Sequence, residues 1–234
     1  MPQWYEDGTN PPELLNGWLT LCMDRAAMEV YASRITAGTE KLDRFKEPLS
    51  PTLIQRAVDR CVSAMNASNK FKFALRLAKQ NDVDTIFRLV YGLAVYEKEP
   101  DAVSVKAEHY SRDGFSDQPL FYCLLVDYTD SSGQVTTCGM ALCYFGFSLG
   151  DGRFLYLEDL FFEEEYRKLG GGTMLMAALA CIGLSVQCDR FFWQALDWNT
   201  PALTFYNQVG ATIQEGVLTA RYKGNSLKRF AGEI

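Results

Sequence analysis

The chain has one histidine, His109, and its seven cysteines include no C-x-x-C pair. The first scarcity removes imidazole clusters and the usual zinc sites. The second makes the cysteines read as buried thiols in a reducing compartment. Basic residues are in the minority, 23 Lys and Arg against 29 Asp and Glu, a formal charge of −6. Nucleic acid is therefore not expected as a main partner, and a small cationic substrate suits the balance better. No uncharged apolar run reaches the roughly 18 residues that a membrane span needs. Residues Met1 to Asn16 lack the basic-then-apolar order of a leader, so a cytoplasmic protein is expected.

What is present is enough for a core: 234 residues, 48% of them hydrophobic. After a breaker-rich start containing Gly8, Pro11 and Pro12, Leu19, Met23, Ala26, Ala27, Val30 and Tyr31 recur at helical spacing and predict a helix over 18–37. Ser50-Pro51 opens a second, with its stripe Ile54, Ala57, Val58, Cys61, Val62 and Met65. These two make residues 1–70 a helical extension, and 71–234 the main domain. There the patterns give a strand over 71–77 and a helix capped at Asn81-Asp82 and stopped by Pro100. Strands over 120–128 and 134–147 follow, then a third strand up to Phe162, a glycine-led helix, a strand over 190–195 and a helix over 201–208. A final hairpin or edge strand is expected over 213–222. Strand-helix units around a meander imply an α/β fold, a mixed sheet flanked by helices.

The chain is organised around 153–180. A strand carrying Glu158 and Asp159 runs into a charged turn, then Gly170, Gly171 and Gly172, then strong helix formers from Thr173. Glycines at a helix mouth leave backbone N–H groups facing one object, and the helix dipole favours an anion there. The local physics is that of a phosphate cradle.

Three segments then carry a resemblance: L-A-V-Y-E-K at 93–98, Y-L-E-D-L-F-F-E-E-E-Y-R-K-L-G-G-G at 156–172, and L-D-W-N-T-P-A-L-T-F-Y-N-Q-V-G-A at 196–211. Over 73–222 the chain resembles the Gly-rich-motif N-acetyltransferase (GNAT) superfamily, and within it the diamine or polyamine and thialysine N-acetyltransferases. The resemblance implies a mostly antiparallel central sheet and acetyl transfer from acetyl-CoA to a primary amine by direct attack in a ternary complex. It also implies a homodimer. A protein-lysine or N-terminal acetyltransferase, and a silent acetyl-CoA sensor or scaffold, stand as alternatives. Arg167, Gly170 and Gly172 match its R-x-x-G-x-G/A motif, so backbone N–H groups of Arg167, Lys168, Leu169, Gly170, Gly171, Gly172 and Thr173 would hold the pyrophosphate. Arg167 could equally form an exposed salt bridge. Backbone of Leu160, Phe161 and Phe162 would bind the pantetheine arm where the strand bends from its neighbour. Asn199, ahead of Pro201, would cap its helix or contact that arm. No metal is implied.

The chemistry needs a neutral amine and a proton for the leaving thiolate. Tyr206 matches the family's general acid, its alternative being an ordinary buried aromatic. Glu158 fits the base, directly or through water, or a clamp on the cationic substrate. Asp159 would face the other side of a regular strand and serve the substrate field. Tyr96 and Glu97 match the amine-binding region. Val217 stands where the polyamine enzymes show tryptophan, and Arg221 adds a cation beyond it, which leaves the acceptor open. His109, Cys181 and Cys188 read as structural, and Glu163, Glu164 and Glu165 as a solvated face.

Overall fold

A computed structural model describes residues 13–14, 17–35, 47–68, 71–222 and 224–232. In chain order the elements are β1 (Glu13–Leu14), β2 (Trp18–Asp24), α1 (Arg25–Ala32), α2 (Pro51–Ser68), β3 (Phe73–Leu77), α3 (Val83–Tyr96) and α4 (Ala107–Gly114). Then come β4 (Tyr122–Thr129), β5 (Val135–Ser148), β6 (Gly152–Phe162), α5 (Gly171–Ser185), β7 (Arg190–Leu196), α6 (Thr200–Gln208), β8 (Thr212–Ile213), β9 (Ala220–Arg221) and α7 (Asn225–Phe230). A seven-stranded sheet in the order β3-β4-β5-β6-β7-β2-β8 is antiparallel except for the parallel pair β6 and β7. This is the mixed α/β architecture expected.

The expected helix over 18–37 is a strand followed by a helix. Residues Trp18 to Asp24 pair antiparallel with β7, from Trp18 opposite Leu196 to Asp24 opposite Arg190, and β8 lies along their other edge. Leu21, Cys22 and Met23 are consecutively buried, as in a strand covered on both faces, where helical spacing is no guide. Asp24 then accepts a hydrogen bond from Ala27 N at 2.9 Å and starts α1. The predicted end of that helix at 36–37 and the start of the chain apart from Glu13–Leu14 and Gly17 lie outside the described residues. The expected 1–70 extension thus supplies a strand to the same sheet as 71–222. Of the final hairpin or edge strand expected over 213–222, the edge strand forms at its start, where β8 pairs with β2 at the end of the sheet, whereas β9 pairs with β1.

All residues of α5 except Gly172 and Thr173 are buried. Its sequence from Met174 to Ser185 contains no charged residue, so it needs apolar cover on every side. The sheet covers one side; Met28, Tyr31 and Ala32 of α1 and Leu53, Ile54, Ala57, Val58 and Cys61 of α2 complete the other within one core. Each fully buried aliphatic there contributes about 1.5–3 kcal/mol. On the opposite face of the sheet, Ile86, Leu89 and Val90 of α3 and Tyr110 of α4 pack on Cys123, Leu125, Met140, Leu142 and Phe161. No described helix is long and apolar enough to cross a membrane.

Candidate active site

The site begins with a change of register in β6. Asp159 lies opposite Leu142 but Leu157 opposite the next residue, Cys143, so Glu158 is an extra residue in the ladder. A bulge of this kind bends and twists the strand. Pairing of β6 with β7 ends at Leu157 opposite Trp193, immediately before the bulge. From Glu158 to Phe162 the strand is therefore paired on the β5 side alone, and the sheet opens into a cleft between β6 and β7. The bulge also changes what alternation predicts. Leu142 and Cys143 face opposite sides of β5, which turns Asp159 toward α3 and leaves Leu157 in the core against α5.

Three carboxylates meet near this opening. Burial raises Asp159 to about 7, assisted by the charges of Glu158 and Glu97. Burial, then Glu99, raises Glu97 to about 6. Glu158 keeps contact with solvent, yet the protein around it also pushes its carboxyl above the ordinary range. Asp159 and Glu97 can exchange a proton near neutrality, and the Glu158 carboxyl is shifted in the same direction, toward the basicity that acting on an ammonium needs. Tyr144 and Tyr156 stack beside Glu158, their centroids 4.9 Å apart, and Glu158 adds to the upward shift that burial gives both phenols.

Tyr206 approaches the cleft from α6. It is 7% exposed, with its ring 5.2 Å from Trp193 and 5.4 Å from Phe205. Burial, and then Glu97 across the opening, hold its phenol well above the ordinary range, so the neutral donor persists at any physiological pH. Trp193 Nε1 is buried beside it with no hydrogen-bond partner among the described residues. The start of α6 is fixed by Asn199, whose Oδ1 accepts from Ala202 N at 3.3 Å and from Tyr96 Oη at 3.1 Å, with Pro201 in the first turn. Asn199 therefore caps its helix and joins it to the end of α3.

Beyond the cleft, Lys168 and Gly170 adopt left-handed backbone, φ 60° and 91°, and lead into α5. The first-turn amides of a helix have no intrahelical carbonyl, so those of Gly171, Gly172 and Thr173 face outward at its mouth. A Cβ on Gly171 would lie 2.5 Å from the Phe162 ring, so the close approach of α5 to β6 requires glycine there. Arg167 does not form an exposed salt bridge. Its Nε donates to Phe162 O at 2.8 Å, and its guanidinium lies 4.8 Å from the Tyr96 ring centroid and 5.5 Å from that of Phe161. Tyr96, Phe161, Arg167 and Glu163 help line a cavity of about 360 Å³ beside the cleft.

Other expected residues divide. Glu163 pairs with Arg88, which also donates to Thr137 O at 2.8 Å, whereas Glu164 and Glu165 stay exposed. His109 Nδ1 accepts from Lys106 N at 3.1 Å at the start of α4, and Cys181 and Cys188 are buried. Val217 is 54% exposed. Sequence reasoning passed over the Tyr144 and Tyr156 stack and Trp198, whose ring is 6.3 Å from Tyr96 and 5.3 Å from Lys98 Nζ. The aromatic pair lies at facing positions of the β5 and β6 hairpin, which its pairing could have revealed. Among the described residues, no group of three or more His, Cys, Asp or Glu is arranged to hold a metal ion.

A sheet that opens beside a bulged strand, with a glycine-led helix mouth at the end of that strand, defines a nucleotide-thioester acyltransferase type of site. The family model for the acetyltransferase (GNAT) family matches residues 83–211, more than half of the chain. Thialysine N-epsilon-acetyltransferase of Sus scrofa is 35% identical over 165 residues, 68% of this chain and 97% of that protein. Spermidine/spermine N(1)-acetyltransferase-like protein 1 of Homo sapiens is 34% identical over 69% of this chain and 24% of its own length. In fold, an integron cassette protein from the mobile metagenome of V. cholerae superposes with a TM-score of 0.57 at 22% identity, over 69% of this chain and 98% of that one. The chain belongs to the GNAT acetyltransferase family, and its activity is acetyl-CoA-dependent acyl transfer to an amine.

Proposed function

We propose that the acceptor is a primary amine on a small di- or polycation of the polyamine or thialysine class. The observation that carries this reading is the convergence of Glu97, Glu158 and Asp159 at the opening of the sheet, opposite Tyr206. Three carboxylates gathered at one opening, with Asp159 and Glu97 partly withdrawn from water and Glu158 at its solvent side, favour a second positive charge on the acceptor, away from the amine that reacts. Tyr144, Tyr156 and Trp198 offer aromatic faces for the same cation. The relatives named for thialysine and for spermidine/spermine support this class.

The residues present fit acetyl-CoA: an unpaired strand edge at Glu158–Phe162, an orphan indole N–H beside Tyr206, and outward amides at a glycine helix mouth. The Arg167 N–H is given to Glu164 O at 3.1 Å, so in this reading the N–H groups from Lys168 through Thr173 hold its pyrophosphate, and Leu160, Phe161 and Phe162 hold the pantetheine arm along the open edge. When bound, it supplies an activated acetyl thioester. Asn199 and Pro201 fix the start of α6 and with it the position of Tyr206. Glu158 accepts the proton that the substrate ammonium must lose, and Asp159 and Glu97 hold the second cation. The Tyr206 hydroxyl donates its hydrogen toward the departing sulfur. Because binding and proton transfer are both supplied in place, the amine attacks directly in a ternary complex.

We also infer a homodimer. Leu218, Leu227 and Phe230 are 77%, 51% and 66% exposed near the C-terminal end of the described chain, which supports burial against a second copy. The test of function is acetyl-CoA-dependent thiol release with putrescine, spermidine, spermine, thialysine and a lysine peptide, with products identified by mass. Transfer to a small dication supports the proposal; transfer to the peptide alone overturns it.

A further inference from the structure

Helix α3 ends in a defined cap. Glu99 N donates to Ala94 O at 2.9 Å and Lys98 N to Val95 O at 3.1 Å, while Lys98 itself takes left-handed backbone, φ 65°. In a cap of this kind the left-handed position is usually glycine, because a side chain there is strained. A lysine in that place costs stability, which points to a use for its side chain beyond ending the helix. Lys98 is exposed and forms no ion pair among the described residues. Its Nζ stands 5.3 Å from the centroid of the Trp198 ring, and that ring lies 6.3 Å from the ring of Tyr96. Tyr96 in turn is bonded to Asn199 Oδ1 across the opening of the sheet. Contacts of ordinary geometry thus hold the Lys98 ammonium at the mouth of the acceptor site, one residue after Glu97 and on the aromatic plate beside the Tyr96 bridge.

A fixed cation at that place is unfavourable for a polyamine, whose every charge is positive. It is complementary to a carboxylate. Glu97 and Lys98 are neighbours in the chain and present opposite charges side by side, as an α-amino acid presents an ammonium and a carboxylate on one carbon. We propose that Lys98 is a specificity-determining residue, binding the α-carboxylate of an amino acid whose side-chain amine is acetylated and disfavouring amines that lack a carboxylate. In this arrangement Glu97 faces the α-ammonium, and Glu158 takes the proton from the side-chain ammonium. The ion pair between Lys98 and the carboxylate is charge-assisted, and the aromatic plate holds the ammonium in place before the acceptor arrives. This inference rests on the small-amine reading above and chooses within it.

The experiment is steady-state kinetics of the full chain and its Lys98→Gln, Lys98→Glu and Lys98→Gly variants on two matched pairs, ornithine with putrescine and lysine with cadaverine, whose members differ only by a carboxylate. Fragment masses assign the acetylated amine, and a thermal melt of each variant verifies folding. The unaltered chain should prefer the amino acid in each pair and acetylate its side-chain nitrogen. Lys98→Gln should lower kcat/KM for the amino acids about tenfold and raise it for the diamines, and Lys98→Glu should reverse the preference. Lys98→Gly should lose the preference while melting higher than the unaltered chain, since glycine relieves the cap. A preference for the diamines in the unaltered chain, or one that is the same in every variant, overturns the proposal. A change confined to KM for acetyl-CoA assigns Lys98 to the coenzyme and overturns it too, as does a lower melting point in Lys98→Gly, which makes the side chain structural. If no member of either pair is acetylated, the small-amine reading itself fails; if all are acetylated without preference, this inference alone fails.

Discussion

Tyr96 donates a hydrogen bond to Asn199 Oδ1 at 3.1 Å, tying the end of α3 to the start of α6 across the opening in the sheet. The two residues come from segments expected to serve different ligands, the amine and the coenzyme. Their contact makes the two half-sites one mechanical unit. Tyr96→Phe should lower stability by about 1 kcal/mol and raise KM for the amine and for acetyl-CoA together. Steady-state kinetics with each substrate varied in turn will check this; a change in one KM alone argues against the coupling.

Glu158→Gln should lower kcat about 100-fold while the protein stays folded, because a solvent-contacting bulge residue is lost as a base and not as packing. The Glu158 carboxyl is shifted upward, so wild-type activity should rise with pH as it ionises, and that limb should flatten in the variant. A pH profile with the same acidic limb in both proteins would remove Glu158 from the role.

Asp159 offers a stability measurement with a definite sign. Its folded pKa of about 7 lies above the ordinary value of 3.8, so the folded state holds a proton that the unfolded state releases between those limits. Its relative contribution is fully present below pH about 4 and lost as pH rises through about 7. Asp159→Asn should thus be more stable than wild type at pH 8, by on the order of 2 kcal/mol, and lose that advantage near pH 4. Urea unfolding at both pH values decides it; an Asn variant less stable at pH 8 rules out the desolvated carboxyl.

Tyr206→Phe should keep the packing on Trp193 and Phe205 and lose only the hydroxyl. Expected are a 10- to 100-fold fall in kcat, roughly, and little change in KM for acetyl-CoA. Unaltered kcat in a variant that melts normally would return Tyr206 to the role of a core aromatic.

Removing residues 1–70 should leave no soluble, cooperatively folded 71–234. The deletion uncovers the edge of β7 and the apolar outer face of α5, both filled here by β2, α1 and α2. A sharp thermal transition from that fragment in solution would contradict the shared core.

Most elements after the first strand were legible because their cues are local. Pro51 opens α2 in the extension, and in the main domain Asp82 precedes α3 and the alternation at 73–77 marks β3. The start of the chain misled for a physical reason. Leu19 and Met23 stand four apart, as in a helix, but a strand buried on both faces loses its alternation. Asp24 held the corrective signal, a capping residue in the middle of the supposed helix. The uncharged run from Met174 to Ser185 likewise asked for a cover before any cover was found. The glycine helix mouth could be read from composition, whereas the bulge at Glu158 could not, since it is a relation between two strands and not a property of either. The turning of Arg167 onto Tyr96 has the same character: it joins residues far apart in the chain.

The place of β2 between β7 and β8 bears on how the molecule comes into being. Trp18 meets Leu196, and Leu21 meets Ile213, so this strand must wait for almost the whole chain before it finds both neighbours. During synthesis its buried face has no native partner in the sheet, and the gap it will fill does not yet exist. Closure of so long a loop comes at a high entropic cost and favours slow assembly. A ribosome-bound chain would thus hold its first strand in reserve, exposed to chaperones, until the last of the sheet emerges.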